Sequence, residues 1–157
     1  INNKIIKKEN FYLLIIVFFI FSLDRYTKIE IINSFSEDTY YINDFINFNL
    51  VWNTGIGFGL FQSSSSLLYN FVSLFIAIVI LIIIYLSIIS DKLDKISFSL
   101  IVGGAIGNFY DRMIFKAVPD FIDLHFENFH WFTFNIADIF ITFGILLYLI
   151  IGFLKKE

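Results

Sequence analysis

Residues 117–142 read AVPDFIDLHFENFHWFTFNIADIFIT and run straight into the apolar stretch near the end of the chain. Asp120, Asp123 and Asp138 interrupt a segment that is otherwise mostly hydrophobic. Asp138 is the hardest to excuse, because it lies between Phe134 and Phe140 where a bilayer-crossing helix would begin. An ionisable side chain at that depth is expensive and marks a functional site by default. The plainer explanation is a helix N-cap or an acidic charge at a helix N-terminus, although Asp138 sits a little deep for a cap. For Asp120 the plainer reading is a loop aspartate, which costs little. Asp123 reads as a loop or rim residue.

The 157 residues suffice for one domain, taken as 1–157. Hydrophobic residues make up 58% of the chain, against about 45–50% in soluble proteins, and the mean hydropathy is +0.80. A soluble protein of this size could not hide that much apolar surface, so part of the chain faces membrane lipid. Net charge is −3 with no basic stripe, which argues against a nucleic-acid partner. There is no cysteine, which excludes disulfides, thiol nucleophiles and Cys-ligated metal. His125 and His130 are the two histidines and form no HExxH pattern, so neither a metal nor another cofactor is expected.

Four runs approach the roughly 20 apolar residues that a spanning helix needs. They lie at about 8–28, 67–89, 96–113 and 136–154. A cleavable signal peptide fits the first run poorly, because SLDRYTK offers no small-residue cleavage site and three further runs follow. Lys4, Lys7, Lys8, Lys92, Lys95, Lys155 and Lys156 fall on one side of the resulting topology; Arg25, Lys28, Arg112 and Lys116 fall on the other. The positive-inside bias then puts both termini in the cytoplasm. The long segments 24–66 and 114–135 face outward and carry most of the polar residues that are not simple anchors.

Those residues gather at the outer ends of the runs. Asp24 and Lys28 are spaced i, i+4 on one helix face, either as a surface ion pair or as charges paired near lipid. Asn53 precedes Gly55, Gly57 and Gly59, a glycine-rich turn or a place where backbone approaches a ligand closely. The stretch INFNLVWN before it alternates like a strand. Gly103 and Gly107 make a small-xxx-small packing face. Asn108, Asp111 and Arg112 follow on one helix side, as a hydrogen-bonded cluster or as an Arg112 anchor with Asp111 as counterion. Because the third run leads out and the fourth leads back, Asp120 and Asp138 end on the same side at similar depth, with Asn135 one turn from Asp138. Two carboxylates held close share a proton. The charged one can activate water, and the protonated one can hydrogen-bond a carbonyl and then donate to a leaving amine.

The blocks DRYTK (24–28), NTGIGF (53–58), GNFYDR (107–112), VPDF (118–121) and FNIAD (134–138) together resemble the bacterial lipoprotein signal peptidase family, signal peptidase II. The resemblance covers nearly the whole chain. It implies an all-α integral membrane protein of four transmembrane helices, N-in and C-in, with a small periplasmic β-like cradle between helices 1 and 2. It further implies an aspartic endopeptidase of the bacterial inner membrane, with its site toward the periplasmic face. Such an enzyme cuts prolipoproteins before a diacylglyceryl-modified cysteine, needs no cofactor, is expected as a monomer, and is the target of the cyclic peptide globomycin. By motif position, Asp120 and Asp138 correspond to the catalytic pair. Asn53, Gly55, Asn108, Arg112 and Asn135 correspond to substrate-binding or site-shaping positions, and Asp24, Lys28 and Asp111 to structural supports. Pro119 departs from the aliphatic residue more common there; by fixing φ it would stiffen the segment. A small transporter and a non-catalytic assembly subunit are the competing classes. The first should thread acids through the midplane, and the second would not need the external polar cluster.

Overall fold

The computed structural model describes residues 8–34, 39–55 and 66–155. Helices occupy all four predicted runs: α1 (Lys8–Ser34), α2 (Ser66–Ile89), α3 (Lys92–Phe115) and α4 (Ile136–Leu154). Two of them, over Tyr69–Ile89 and Ile136–Leu154, are long and apolar enough to cross a membrane. Helix α3 begins several residues before its apolar run, since Asp94 in its first turn suits the positive end of the helix dipole. At its other end Lys116 adopts a left-handed φ of 59° and stops the helix.

Helix α3 is the axis of the bundle. It runs parallel to α1, with Lys95 reaching Asn10 at one end and Lys28 reaching Asp111 at the other. It runs antiparallel to α2 and α4, to which Lys95–Ile88 and Asn108–Asp138 contacts tie it. The expected Gly103/Gly107 face packs on α1: a Cβ at Gly103 would sit 2.9 Å from Ile20 Cβ. A further close approach joins α3 to α4, where a Cβ on Gly104 would collide with the Ala137 carbonyl and one on Gly144 would meet Ser97 O at 2.8 Å.

The strands correct the all-α expectation and the confinement of the cradle to the segment between the first two helices. Four strands, β1 (Tyr40–Asn43), β2 (Ile46–Asn53), β3 (Val118–Phe126) and β4 (Phe129–Phe134), form one antiparallel sheet in sequence order. Half of it comes from the segment after α3. Asn43 closes the first hairpin, its side-chain oxygen accepting from the amides of Phe45 and Ile46 at 2.9 and 3.0 Å. The β2–β3 pairing then joins the two hairpins, with Val51 opposite Asp120 and Asn53 opposite Val118. Pro119 stands opposite Trp52 and precedes the first residue paired with β4, Ile122. At Pro119, therefore, the strand is partnered on one side only, where a missing N–H is tolerated.

Burial is inverted relative to a water-soluble protein. The largest fully buried side chains include Lys28, Asn135, Asp24, Asp111 and Asp120, whereas Phe18, Leu67 and Phe153 are 71%, 80% and 72% exposed. Apolar surface on that scale does not persist in water.

Candidate active site

The polar residues meet where α1 and α3 end, α4 begins and β3 passes. Each is positioned by a local rule. Asn135 is the N-cap of α4: its Oδ1 accepts from the Asp138 amide at 3.1 Å, and the Asn135 amide donates to Asp138 Oδ2 at 3.2 Å. This is a capping box. The plainer explanation of Asp138 is thus realised, and the same carboxylate also turns into the site. Its other oxygen accepts from Asn108 Nδ2 at 2.8 Å.

Asp120 lies within strand β3 rather than in a loop. Its Oδ1 accepts from Asn135 Nδ2 at 2.5 Å and its Oδ2 from Asn53 Nδ2 at 2.8 Å. Asn135 therefore binds both aspartates, one through its side chain and one through its backbone. The three amide orientations are fixed by donors that cannot accept. Asn53 Oδ1 takes the Gly55 amide at 2.8 Å, Asn135 Oδ1 takes the Asp138 amide, and Asn108 Oδ1 takes the Lys28 ammonium at 2.8 Å. Each amide must then point its NH2 at a carboxylate. Burial, and then the neighbouring charge of Asp138, push the Asp120 carboxyl up to about 7 against the hydrogen bonds from Asn53 and Asn135.

The supports form a second node. Lys28 donates to Asp24 Oδ2, Asn108 Oδ1 and Asp111 Oδ2 at 2.8, 2.8 and 2.7 Å, which satisfies all three of its protons. Asp24 also accepts from the Ala137 amide at 3.0 Å, tying α1 to the first turn of α4. Lys28 and both its carboxylate partners are fully buried, so this is not the surface pair that spacing alone allowed. Arg112 is buried too and donates to the Gly55 carbonyl; its Nη1 has no partner among the described residues. The counterions of Asp111 are Lys28 and Arg25, which favours the hydrogen-bonded cluster over the alternative of an Arg112 anchor with Asp111 as its counterion. Gly57 and Gly59 lie outside the described residues.

The comparisons with known proteins bear on what this constellation serves. A family model described as signal peptidase (SPase) II matches residues 16–154. The chain belongs to the signal peptidase II family. It is 49% identical over 147 residues to a lipoprotein signal peptidase of Pelagibacter ubique (strain HTCC1062), covering 91% of this chain and 88% of that one. A lipoprotein signal peptidase of Francisella tularensis subsp. novicida (strain U112) is 36% identical over 149 residues, covering 91% and 92%. Two solved bacterial membrane enzymes, at 2.3 and 1.9 Å resolution, match the fold with TM-scores of 0.80 and 0.74 and identities of 28% and 29%. They cover 92% and 93% of this chain, and 88% and 94% of their own chains are covered. Membership makes this chain an enzyme, a signal peptidase II of the aspartic protease class.

Three features of this signal peptidase escaped the sequence reading. Arg25 pairs with Asp111 and lies 5.0 Å from the Tyr110 ring. Its position next to Asp24 in DRYTK was the available signal. Tyr69 donates to the Arg112 carbonyl at 2.8 Å, which anchors the end of α3 to α2. A tyrosine at the start of an otherwise apolar run hinted at it. Asp123 is not a rim residue: it is buried in β3, and its Oδ2 lies 2.7 Å from His130 Nδ1 across the hairpin.

Proposed function

We propose that this signal peptidase removes the signal peptide from diacylglyceryl-modified prolipoproteins, cutting just before the lipidated cysteine, with Asp120 and Asp138 as its catalytic pair. The observation that carries the reading is the bridge at Asn135, which hydrogen-bonds both buried carboxylates at once. With one proton held by the pair, the ionised carboxylate takes a proton from a water whose oxygen bonds to the scissile carbonyl carbon. The protonated carboxyl hydrogen-bonds the carbonyl oxygen and then delivers its proton to the amide nitrogen as the C–N bond breaks. The remaining Arg112 Nη1 donor is suited to a substrate carbonyl, and a globomycin-type cyclic peptide would compete for the same groups.

The lysine asymmetry and the inverted burial support four spans in the bacterial inner membrane, with both termini cytoplasmic and the site toward the periplasm. A groove of about 340 Å³ between β4 and α4 is lined by Phe132, Phe134, Ile139, Phe143 and Leu146, and Asp138 also lines it. Such a groove suits a substrate that arrives in the bilayer. The transporter reading has less support, because the acids cluster at one end of the bundle instead of threading it.

The test is product identification. The purified chain is given a prolipoprotein peptide with and without the diacylglyceryl group, and the products are weighed by mass spectrometry. The expected result is a new N-terminus at the modified cysteine and little turnover of the bare peptide. A cut elsewhere, or equal turnover of both peptides, contradicts the reading.

A further inference from the structure

We propose that the buried charges around Asp120 and Asp138 balance to zero only when that pair holds one proton, and that Lys28 is the positioning residue that sets the count. The proposal rests on the reading of the two aspartates as the catalytic pair.

Among the described residues, seven charged side chains converge. Helix α1 supplies Asp24, Arg25 and Lys28, α3 supplies Asp111 and Arg112, β3 supplies Asp120, and α4 supplies Asp138. All are nearly or wholly excluded from solvent; the Arg25 side chain, at 11%, is the most exposed. Helix α2 adds the Tyr69 hydroxyl, which donates to the Arg112 carbonyl. Four aspartates against three cations leave one excess negative charge, and a single proton on the pair removes it. A net charge in so poorly solvated a place is costly.

The neighbouring charges do not enter this count. Asp123 is an odd number of residues from Asp120 and so faces the other side of the strand, where His130 is its partner. Glu30 and Lys116 are exposed. Asp94 pairs with Lys155 at the opposite end of the bundle.

Lys28 reaches the pair through Asn108. Its ammonium can only donate, so it holds the Asn108 oxygen toward itself and turns Nδ2 onto Asp138. A packing role alone would not couple Lys28 to the proton count; this arrangement does.

The experiment is an infrared titration of the protonated-carboxyl band that disappears in Asp120→Asn or Asp138→Asn. It is run on the detergent-solubilised chain and on two charge variants. Lys28→Met leaves an excess negative charge, so the pair keeps its proton to higher pH and the midpoint rises by about one pH unit, the low end for a nearby charge. Asp111→Asn leaves an excess positive charge, and the midpoint falls by a similar amount. Midpoints that stay put, or that move the same way in both variants, overturn the proposal. If Lys28→Met does not fold, Asp111→Asn decides alone, because Lys28 keeps Asp24 and Asn108 there. Opposite displacements in a chain that cleaves no lipopeptide would uphold the charge balance while contradicting the proposed function.

Discussion

Asn135 does two jobs, and a substitution can separate them. Serine is as good a helix cap as asparagine but is too short to reach Asp120. Asn135→Ser should therefore keep the cap and lower stability by about 1 kcal/mol, the low end for a buried acceptor left without its donor, while cleavage falls roughly 100-fold, the low end for a lost catalytic hydrogen bond. Melting curves and initial rates check the split, and equal loss of both would contradict it. Asp120 also makes a pH prediction. Its carboxyl is raised to about 7 from 3.8, so the folded state binds the proton more tightly than the unfolded chain. Stability is then highest below about 4, declines as pH rises toward 7, and levels off above. Unfolding followed from pH 4 to 8 should trace that decline, and Asp120→Asn should flatten it. At this scale the sequence was informative wherever spacing along one helix decided the matter, as for Asp24 with Lys28 and Asn135 with Asp138. It was silent on Arg25 with Asp111, because no local periodicity specifies which residue of another helix lies opposite.

The contact between α3 and α4 decides whether Asp138 meets Asn108. Gly104 permits it, since any Cβ there collides with the Ala137 carbonyl, one residue before Asp138. Gly104→Val should destabilise the fold by about 1–3 kcal/mol, as overpacking does, and should depress cleavage further by displacing the first turn of α4. Gly152, near the far end of α4, has nothing within 4 Å of where a Cβ would stand. Gly152→Ala should be neutral or stabilising by about 0.5–1 kcal/mol. Differential scanning of the two variants tests whether close approach, and not glycine content, matters. The small-xxx-small spacing announced Gly103 and Gly107, but Gly104 faces a second partner and fits no motif. The sheet was half legible for a similar reason. Alternation marked β2, whereas β3 and β4, rich in aromatic residues, read as a loop, and the pairing of β3 with β2 across more than sixty intervening residues leaves no local trace.

For the whole molecule, large apolar side chains crowd the surface while a cluster of ionisable ones is buried. Helix locations were readable from hydropathy, because length and apolar content are set by the bilayer. The enclosure of the charges was not readable, because spacing allows a buried pair and a surface pair alike. Orientation can be tested directly, since the chain contains no cysteine. Asn128→Cys, at the β3–β4 turn, should react with an impermeant maleimide from the periplasmic side of intact spheroplasts. Lys92→Cys, at the α2–α3 turn, should react only after permeabilisation. The reverse pattern would invert the topology. The central claim, that the two bridged aspartates perform the cleavage, is tested most directly by rate. A diacylglyceryl-modified prolipoprotein peptide is given to the unaltered chain, to Asp120→Asn and to Asp138→Asn, each checked for folding. The account predicts cleavage by the first and a loss of about a thousand-fold or more in each variant, within the range for removing an acid–base group. Cleavage that survives in either variant would contradict it.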